Sequence, residues 1–203
     1  ELKTTDNKII EPLNKKGVSF MSMGLISNEK MPVIWRGPMV SGAVMQLLSQ
    51  TNWGELDFLI IDTPPGTGDV QLTLLQKIPL TGTVIITTPQ NVSVSDCKKG
   101  IEMIKRLSIP ILGLIENMSW FQPIDSEKKY FLFGQDGGKD LAAEYKIDLL
   151  AQLPLIEKED KKELHELDEI KAYFEILTDK IIELIKEVRA KKVDSIPQTN
   201  VTK

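Results

Sequence analysis

Apolar runs and helical stripes alternate along the chain, and they predict a sheet of parallel strands covered by helices. Three runs are apolar at nearly every position, as in strands that are buried on both faces: "FLIID" at 58–62, "TVIITT" at 83–88 and "IPILGLIE" at 109–116. Shorter strands are predicted at 18–23 and 147–154. Because helical segments separate most of these strands, we expect an α/β fold with a doubly wound, mainly parallel sheet.

Apolar residues three to four positions apart predict the helices of this fold. The helices are expected over 41–50, 69–78, 93–107, 137–146 and 168–192. Pro38 suits the first turn of one helix, Asp69 is placed to cap the next, and a serine to cap the third. The apolar stripe of the last helix indicates packing against the core. We expect one domain over residues 1–192 and a polar tail over 193–203.

Bulk properties exclude several classes of function. The 203 residues carry a net charge of −4, which gives no reason to expect a broad nucleic-acid surface. One cysteine, Cys97, excludes a disulfide framework within the chain and fits a reducing compartment. No apolar run approaches the ~20 residues of a membrane span. We therefore expect a cytoplasmic location, with neither nucleic acid nor membrane as a partner.

A carboxylate and a glycine-rich turn follow the first apolar run directly, in the segment "DFLIIDTPPGTGDVQLT" at 57–73. Asp62 would end a buried strand, where a carboxylate is costly unless it is paired or meets a cation such as Mg²⁺. Gly66 and Gly68 would allow the backbone to approach a phosphate and donate N–H groups to it. This pattern favours a nucleotide phosphate with its magnesium over a strand-to-helix turn without a ligand.

Two other predicted strands end in polar turns, "TTPQ" at 87–90 and "ENMS" at 116–119. Asn117 can read an adenine edge with both a donor and an acceptor, although asparagine also favours such turns without any ligand. The turn at 87–90 is equally consistent with a plain strand-to-helix connection. His165 is expected on a solvated face, and Cys97 cannot build a metal cluster by itself.

At these residues the sequence resembles the Mrp/ApbC family of P-loop ATPases, relatives of MinD and of the nitrogenase iron protein. The matching stretches span roughly residues 17–156: "VIWRGPMVSGAVMQLL", "WGELDFLIIDTPPGTGDVQLTLLQKIPLTGTVIITTPQ", "GIEMIKRLSIPILGLIENMSWF" and "FGQDGGKDLA". The resemblance implies a cytosolic homodimer that binds and hydrolyses ATP with Mg²⁺. It also implies a carrier or scaffold for iron–sulfur clusters, with apo client proteins as partners.

The resemblance assigns roles to four residues of this chain. Asp62 matches the Walker B aspartate that acts on magnesium and its waters, and Gly66 matches the switch glycine that senses the terminal phosphate. Asn117 matches an asparagine that reads adenine, and Pro154 lies in the loop that closes over the base.

Two parts of the family pattern are absent from the sequence. Nothing from Glu1 to Gly17 resembles the glycine-rich phosphate loop with its lysines (Walker A), and "WFQPIDSEKKYFLFG" replaces the C-x-x-C that usually follows "ENMS". With Glu1 as the first residue, these gaps suggest the C-terminal portion of such an ATPase, incomplete at its N-terminus and inert by itself. They also put binding of an iron–sulfur cluster by the usual ligands in doubt.

Two alternative functions and one structural consequence follow from these gaps. The missing cysteines are compatible with a MinD- or ParA-like positioning switch, and the missing loop with an interaction module that binds no nucleotide. In the family, the phosphate-loop strand lies beside the strand that ends at Asp62. Without it we expect altered strand pairing, insertion of a partner's strand, or low stability.

Overall fold

The computed structural model describes residues 9–26, 37–64, 66–123, 126–156 and 168–194. The chain divides into two compact units, unit 1 (Glu1–Ile78) and unit 2 (Pro79–Lys203), and each is described by itself. His165 and residues 195–203 of the predicted tail lie outside the described residues. The single domain over residues 1–192 stays a prediction.

The described residues of unit 1 form a small hairpin and three helices. Its elements are β1 (Leu13–Lys15), β2 (Val18–Phe20), α1 (Met23–Ile26), α2 (Gly37–Gln50) and α3 (Asp69–Lys77). The two strands are antiparallel, and Lys16 and Gly17 between them both have positive φ, as tight hairpin turns require. Helix α2 packs against α3, with Leu47, Leu74 and Leu75 buried. The strand predicted at 18–23 forms only over 18–20, and both longer helices are confirmed, α2 with an earlier start than the predicted residue 41.

The strand predicted at 58–62 is absent, so that prediction is wrong. These residues have no regular secondary structure, and Ile60 is 90% exposed. A strand is stabilised by a ladder to a neighbour, and no ladder to this segment is present among the described residues. Altered strand pairing, insertion of a partner's strand and low stability stay predictions.

Unit 2 alternates strands and helices as predicted. Its elements are β3 (Thr83–Thr87), α4 (Asn91–Arg106), β4 (Ile111–Glu116), α5 (Gly137–Tyr145), β5 (Leu149–Gln152) and α6 (Asp168–Asp194). The strands form a parallel sheet in the order β3–β4–β5. Helix α4 begins two residues before the predicted start, with Gln90 rather than a serine at its N-cap position.

Helices cover the sheet of unit 2 and hold its strand ends in place. Leu177 of α6 packs with Ile115 and Leu150 in one core cluster, whereas α4 and α5 contact each other and the strands. At Gly113 a Cβ atom would collide with the Leu150 side chain, so the backbone must lie close there. Phe174 is half exposed, so the apolar stripe of α6 is only partly core. None of the described helices is long and apolar enough to cross a membrane.

Candidate functional site

The carboxyl ends of the three strands in unit 2 line up in one row. Thr87 of β3 pairs with Glu116 of β4, and Glu116 pairs with Gln152 of β5. Thr87 and Glu116 are buried, and the chain turns out of the sheet directly after each member of the row. In open parallel sheets, ligands bind at this edge.

Asn117 directly follows Glu116, the last residue of β4. Its backbone N–H donates to the Thr87 carbonyl over 2.7 Å, which ties the turn to the neighbouring strand. Its Oδ1 accepts a 2.9 Å bond from the N–H of Met118, whose φ is +56°. This bond reaches only the next residue, whereas the turn that asparagine favours without a ligand uses the N–H two residues on. Both sequence interpretations of Asn117 therefore stay predictions. A carbonyl oxygen has two lone pairs, so a base edge can still meet both an acceptor and the NH₂ donors.

Pro154 lies beside this turn, at the exit of β5. The N–H of Leu153 donates to the Glu116 carbonyl over 2.8 Å, and the N–H of Ser119 donates to the Leu153 carbonyl over 2.9 Å. These two bonds join the segment before Pro154 to the turn at 116–119. The structure therefore brings Asn117 and Pro154 to the same edge of the sheet.

Glu116, which the sequence reasoning did not single out, is the most buried polar residue at this edge, with no exposed surface. Its Oε2 accepts from the N–H of Gly138 at the start of α5, and its Oε1 accepts a 2.8 Å bond from Nε2 of Gln152. A carboxylate at the end of an apolar run was the signal used for Asp62. The same signal at Glu116 could have identified it.

The turn at 87–90 is held from two sides. The Ser93 hydroxyl lies 2.9 Å from the Thr87 hydroxyl and accepts a 3.1 Å bond from the N–H of Thr88. On the other side, a Cβ atom at Gly137 would collide with the Pro89 carbonyl, so α5 begins directly against this turn. Ser93 therefore fastens the turn instead of capping α4.

Asp62 and Gly66 lie in unit 1, on an exposed irregular segment rather than at the end of a buried strand. Gly66 has φ +86°, and no atom of the described residues, the neighbours in the chain aside, lies within 4 Å of a Cβ position built at Gly66 or Gly68. Asp69 is the first helical residue, not the cap; Gly68 holds the N-cap position, without a side-chain cap bond. The turn can therefore offer backbone N–H groups at the start of α3 to an oxygen ligand.

Cys97 lies on α4, half buried, with its thiol 3.3 Å from the Ile86 carbonyl. Burial raises the pKa of the Cys97 thiol, which disfavours the thiolate that metals require. Within the described ranges, no group of three or more His, Cys, Asp or Glu side chains is placed to hold a metal ion. The thiol is therefore poorly suited to be a cluster ligand.

Comparison with known protein families shows the family to which the chain belongs. The family model described as ParA, the NUBPL iron-transfer P-loop NTPases, matches residues 1–189. The chain belongs to this family. The Mrp/ApbC-like resemblance and the α/β fold of P-loop NTPases are thereby confirmed.

Curated relatives of this NUBPL-type chain are named for iron–sulfur clusters. The iron-sulfur cluster carrier protein of Pseudomonas fragi is 48% identical over 153 residues, which cover 75% of this chain and 53% of the relative. The carrier protein of Methanocaldococcus jannaschii is 53% identical over 145 residues, covering 70% and 50%. The iron-sulfur cluster transfer protein NUBPL of Mus musculus is 46% identical over 149 residues, covering 73% and 47%. The chain spans about half the length of these relatives.

A solved structure has the same overall fold. It is a nucleotide-binding protein from Archaeoglobus fulgidus in complex with ADP, with cobalt found in it. The TM-score is 0.62 at 27% identity, and the match covers 90% of this chain and 65% of that one.

Proposed function

We propose that the protein to which these 203 residues belong binds and hydrolyses ATP and serves as a carrier of iron–sulfur clusters to apo client proteins. This chain would supply Asp62 and Gly66 for magnesium and the terminal phosphate, and Asn117 and Pro154 for the base. The observation that carries the proposal is the edge of the parallel sheet where Asn117 and Pro154 lie together. We include in it the homodimer and the cytoplasmic location predicted from the sequence.

Support at the base end comes from the rigidity of that edge. Backbone hydrogen bonds join the ends of all three strands: Asn117 to Thr87, Leu153 to Glu116, and Ser119 to Leu153. A planar base binds well only where the groups that contact it are already in position, because ordering them on binding would consume affinity. The half-buried side chains of Asn117 and Pro154 can offer a polar edge and an apolar face to a purine.

Support at the phosphate end comes from the turn before α3. The open Gly66–Gly68 backbone and the uncapped first turn fit phosphate oxygens, and the exposed Asp62 carboxylate fits Mg²⁺, which binds to few protein oxygens. Bound magnesium would neutralise part of the phosphate charge. Asp69 adds a negative charge at the same helix end, so a phosphate there requires its cation.

The cysteine content does not fit a cluster held by this chain alone. Cys97 offers one thiol per protomer, and a dimer offers two, whereas common clusters take four protein ligands. After anaerobic reconstitution with iron and sulfide and then desalting, we expect the 203-residue chain to retain no stoichiometric iron or sulfide. Cys97→Ser should behave like the wild type. Retention of both elements in the wild type and their loss in Cys97→Ser would contradict this.

A positioning switch of the MinD or ParA kind is the second candidate, and the missing C-x-x-C favours it. The test uses an extended chain, defined as these 203 residues preceded by a phosphate-loop segment from a curated relative. ATP hydrolysis together with a cluster retained through ligands that the 203 residues lack would support the carrier. Hydrolysis without a cluster would support the switch. The absence of both would leave an interaction module that binds no nucleotide.

A further inference from the structure

We propose that Glu116 is a positioning residue for base recognition: its buried carboxylate sets the spacing between Asn117 and Pro154. The inference rests on the proposed nucleotide site and adds to it a residue that does not contact the ligand. The Glu116 carboxylate has no exposed surface and lies between Thr87 and Gln152 at the carboxyl ends of the strands. Such a group is costly to bury unless hydrogen bonds compensate it.

The partners of this carboxylate are uncharged. The N–H of Gly138 donates to one oxygen and the amide of Gln152 to the other. Gly138 lies in the first turn of α5, where the helix dipole favours a negative charge. Asp136, at the N-cap position of α5, makes no side-chain cap bond, so Glu116 performs this capping from another element.

The two bonds connect the carboxylate to both sides of the base site. Asn117 is the next residue along the chain, and Gln152 lies two residues before Pro154. One side chain therefore joins the end of β4, the end of β5 and the start of α5. The backbone carbonyl of Glu116 strengthens the same junction, because it accepts from the N–H of Leu153 and from the Ser119 hydroxyl.

Close packing leaves the carboxylate little freedom to move. A Cβ atom at Gly138 would lie 2.9 Å from Cβ of Glu116 and 3.0 Å from its Oε2. The same atom would lie 3.0 Å from Cγ2 of Thr87. Glycine at this position thus allows α5 to approach the row until its N–H reaches the carboxylate.

Glu116→Gln tests this role because it keeps the size of the side chain and changes its bonding. Both partners are donors, so one of them would face the new NH₂ group, which is also a donor. The ends of β4 and β5 should then shift relative to each other. We expect affinity for ATP to fall about tenfold or more. Affinity for tripolyphosphate, which has no base, should change less than about twofold.

The experiment measures inhibition constants of ATP and tripolyphosphate on the extended chain, by displacement of a fluorescent ribose-labelled ATP. Glu183→Gln, the same change at an exposed position of α6, is the matched control and should leave both constants unchanged. Circular dichroism and thermal unfolding check that each variant is folded. A purely structural role of Glu116 would weaken both ligands together.

The results separate the two proposals. A selective loss of ATP affinity supports the positioning role, and equal losses, or no loss, overturn it. If the extended wild type displaces the probe with neither ligand, the proposed nucleotide site fails and this inference fails with it. If Glu116→Gln does not fold, Gln152→Ala decides, because it removes one of the two bonds at a half-buried position. A selective loss of about threefold is then expected, and an unchanged ratio overturns the proposal.

Discussion

Isothermal titration calorimetry of the 203-residue chain is expected to show no ATP binding at millimolar nucleotide, even with magnesium present. In the proposed function, Asp62 and Gly66 serve the phosphate end of ATP and Asn117 serves the base. The negative charge between these ends needs the N–H groups and lysine of a phosphate loop. Nothing in residues 1–17 resembles that loop.

The expected difference in affinity is large. Hydrogen bonds to charged groups are worth about 1.5–3 kcal/mol each, so even three missing bonds weaken binding by about 1,000-fold or more. The extended chain should therefore bind ATP measurably and hydrolyse it slowly. Tight binding by the 203 residues alone would show that the phosphates are held by groups other than those of a phosphate loop.

Asp62→Asn in the extended chain should reduce ATP hydrolysis by a factor of about 100 or more, because the carboxylate organises the metal and its waters during phosphoryl transfer. Affinity for ATP should fall by less than about tenfold, since neither the contacts to the base nor those of the phosphate loop involve this carboxylate. Steady-state phosphate release and calorimetry measure the two effects separately.

Asp57→Asn is the matched control for this variant. It makes the same change of charge at an exposed position in the same irregular segment, and both rate and affinity should remain at wild-type values. Unchanged turnover in Asp62→Asn would remove Asp62 from the proposed site. A parallel loss in both variants would indicate a general effect of charge on the segment.

The strands of unit 2 could be predicted because each is a short apolar run bounded by turn residues, which is a local property of the sequence. The apolar run at 58–62 is just as clear, yet it forms no strand. Its backbone needs a neighbour to complete a ladder, and such a partner is a property of the whole sheet. Hydrophobic pattern identifies a segment that can become a strand, whereas pairing decides whether it does.

Only part of the candidate site could be predicted from the sequence. Asn117 was singled out because it follows an apolar run directly, whereas Pro154 was identified only through the family resemblance. The role of Glu116 was not predicted, because it depends on the register that places Glu116 opposite both Thr87 and Gln152. Register between parallel strands comes from tertiary packing. Asp69 was misplaced by one position, since Gly68 can adopt the extended conformation of an N-cap residue.

Amide chemical-shift mapping of the extended chain, titrated with ATP and magnesium, tests the location of the site most directly. We expect the largest shifts at Gly66, Asn117 and Leu153. Ile111 is the first residue of β4 and Asp148 directly precedes β5, so both lie at the amino end of the sheet and should shift little. Binding accompanied by shifts at Gly66, Asn117 and Leu153 no larger than those at Ile111 and Asp148 would contradict a nucleotide site at these residues.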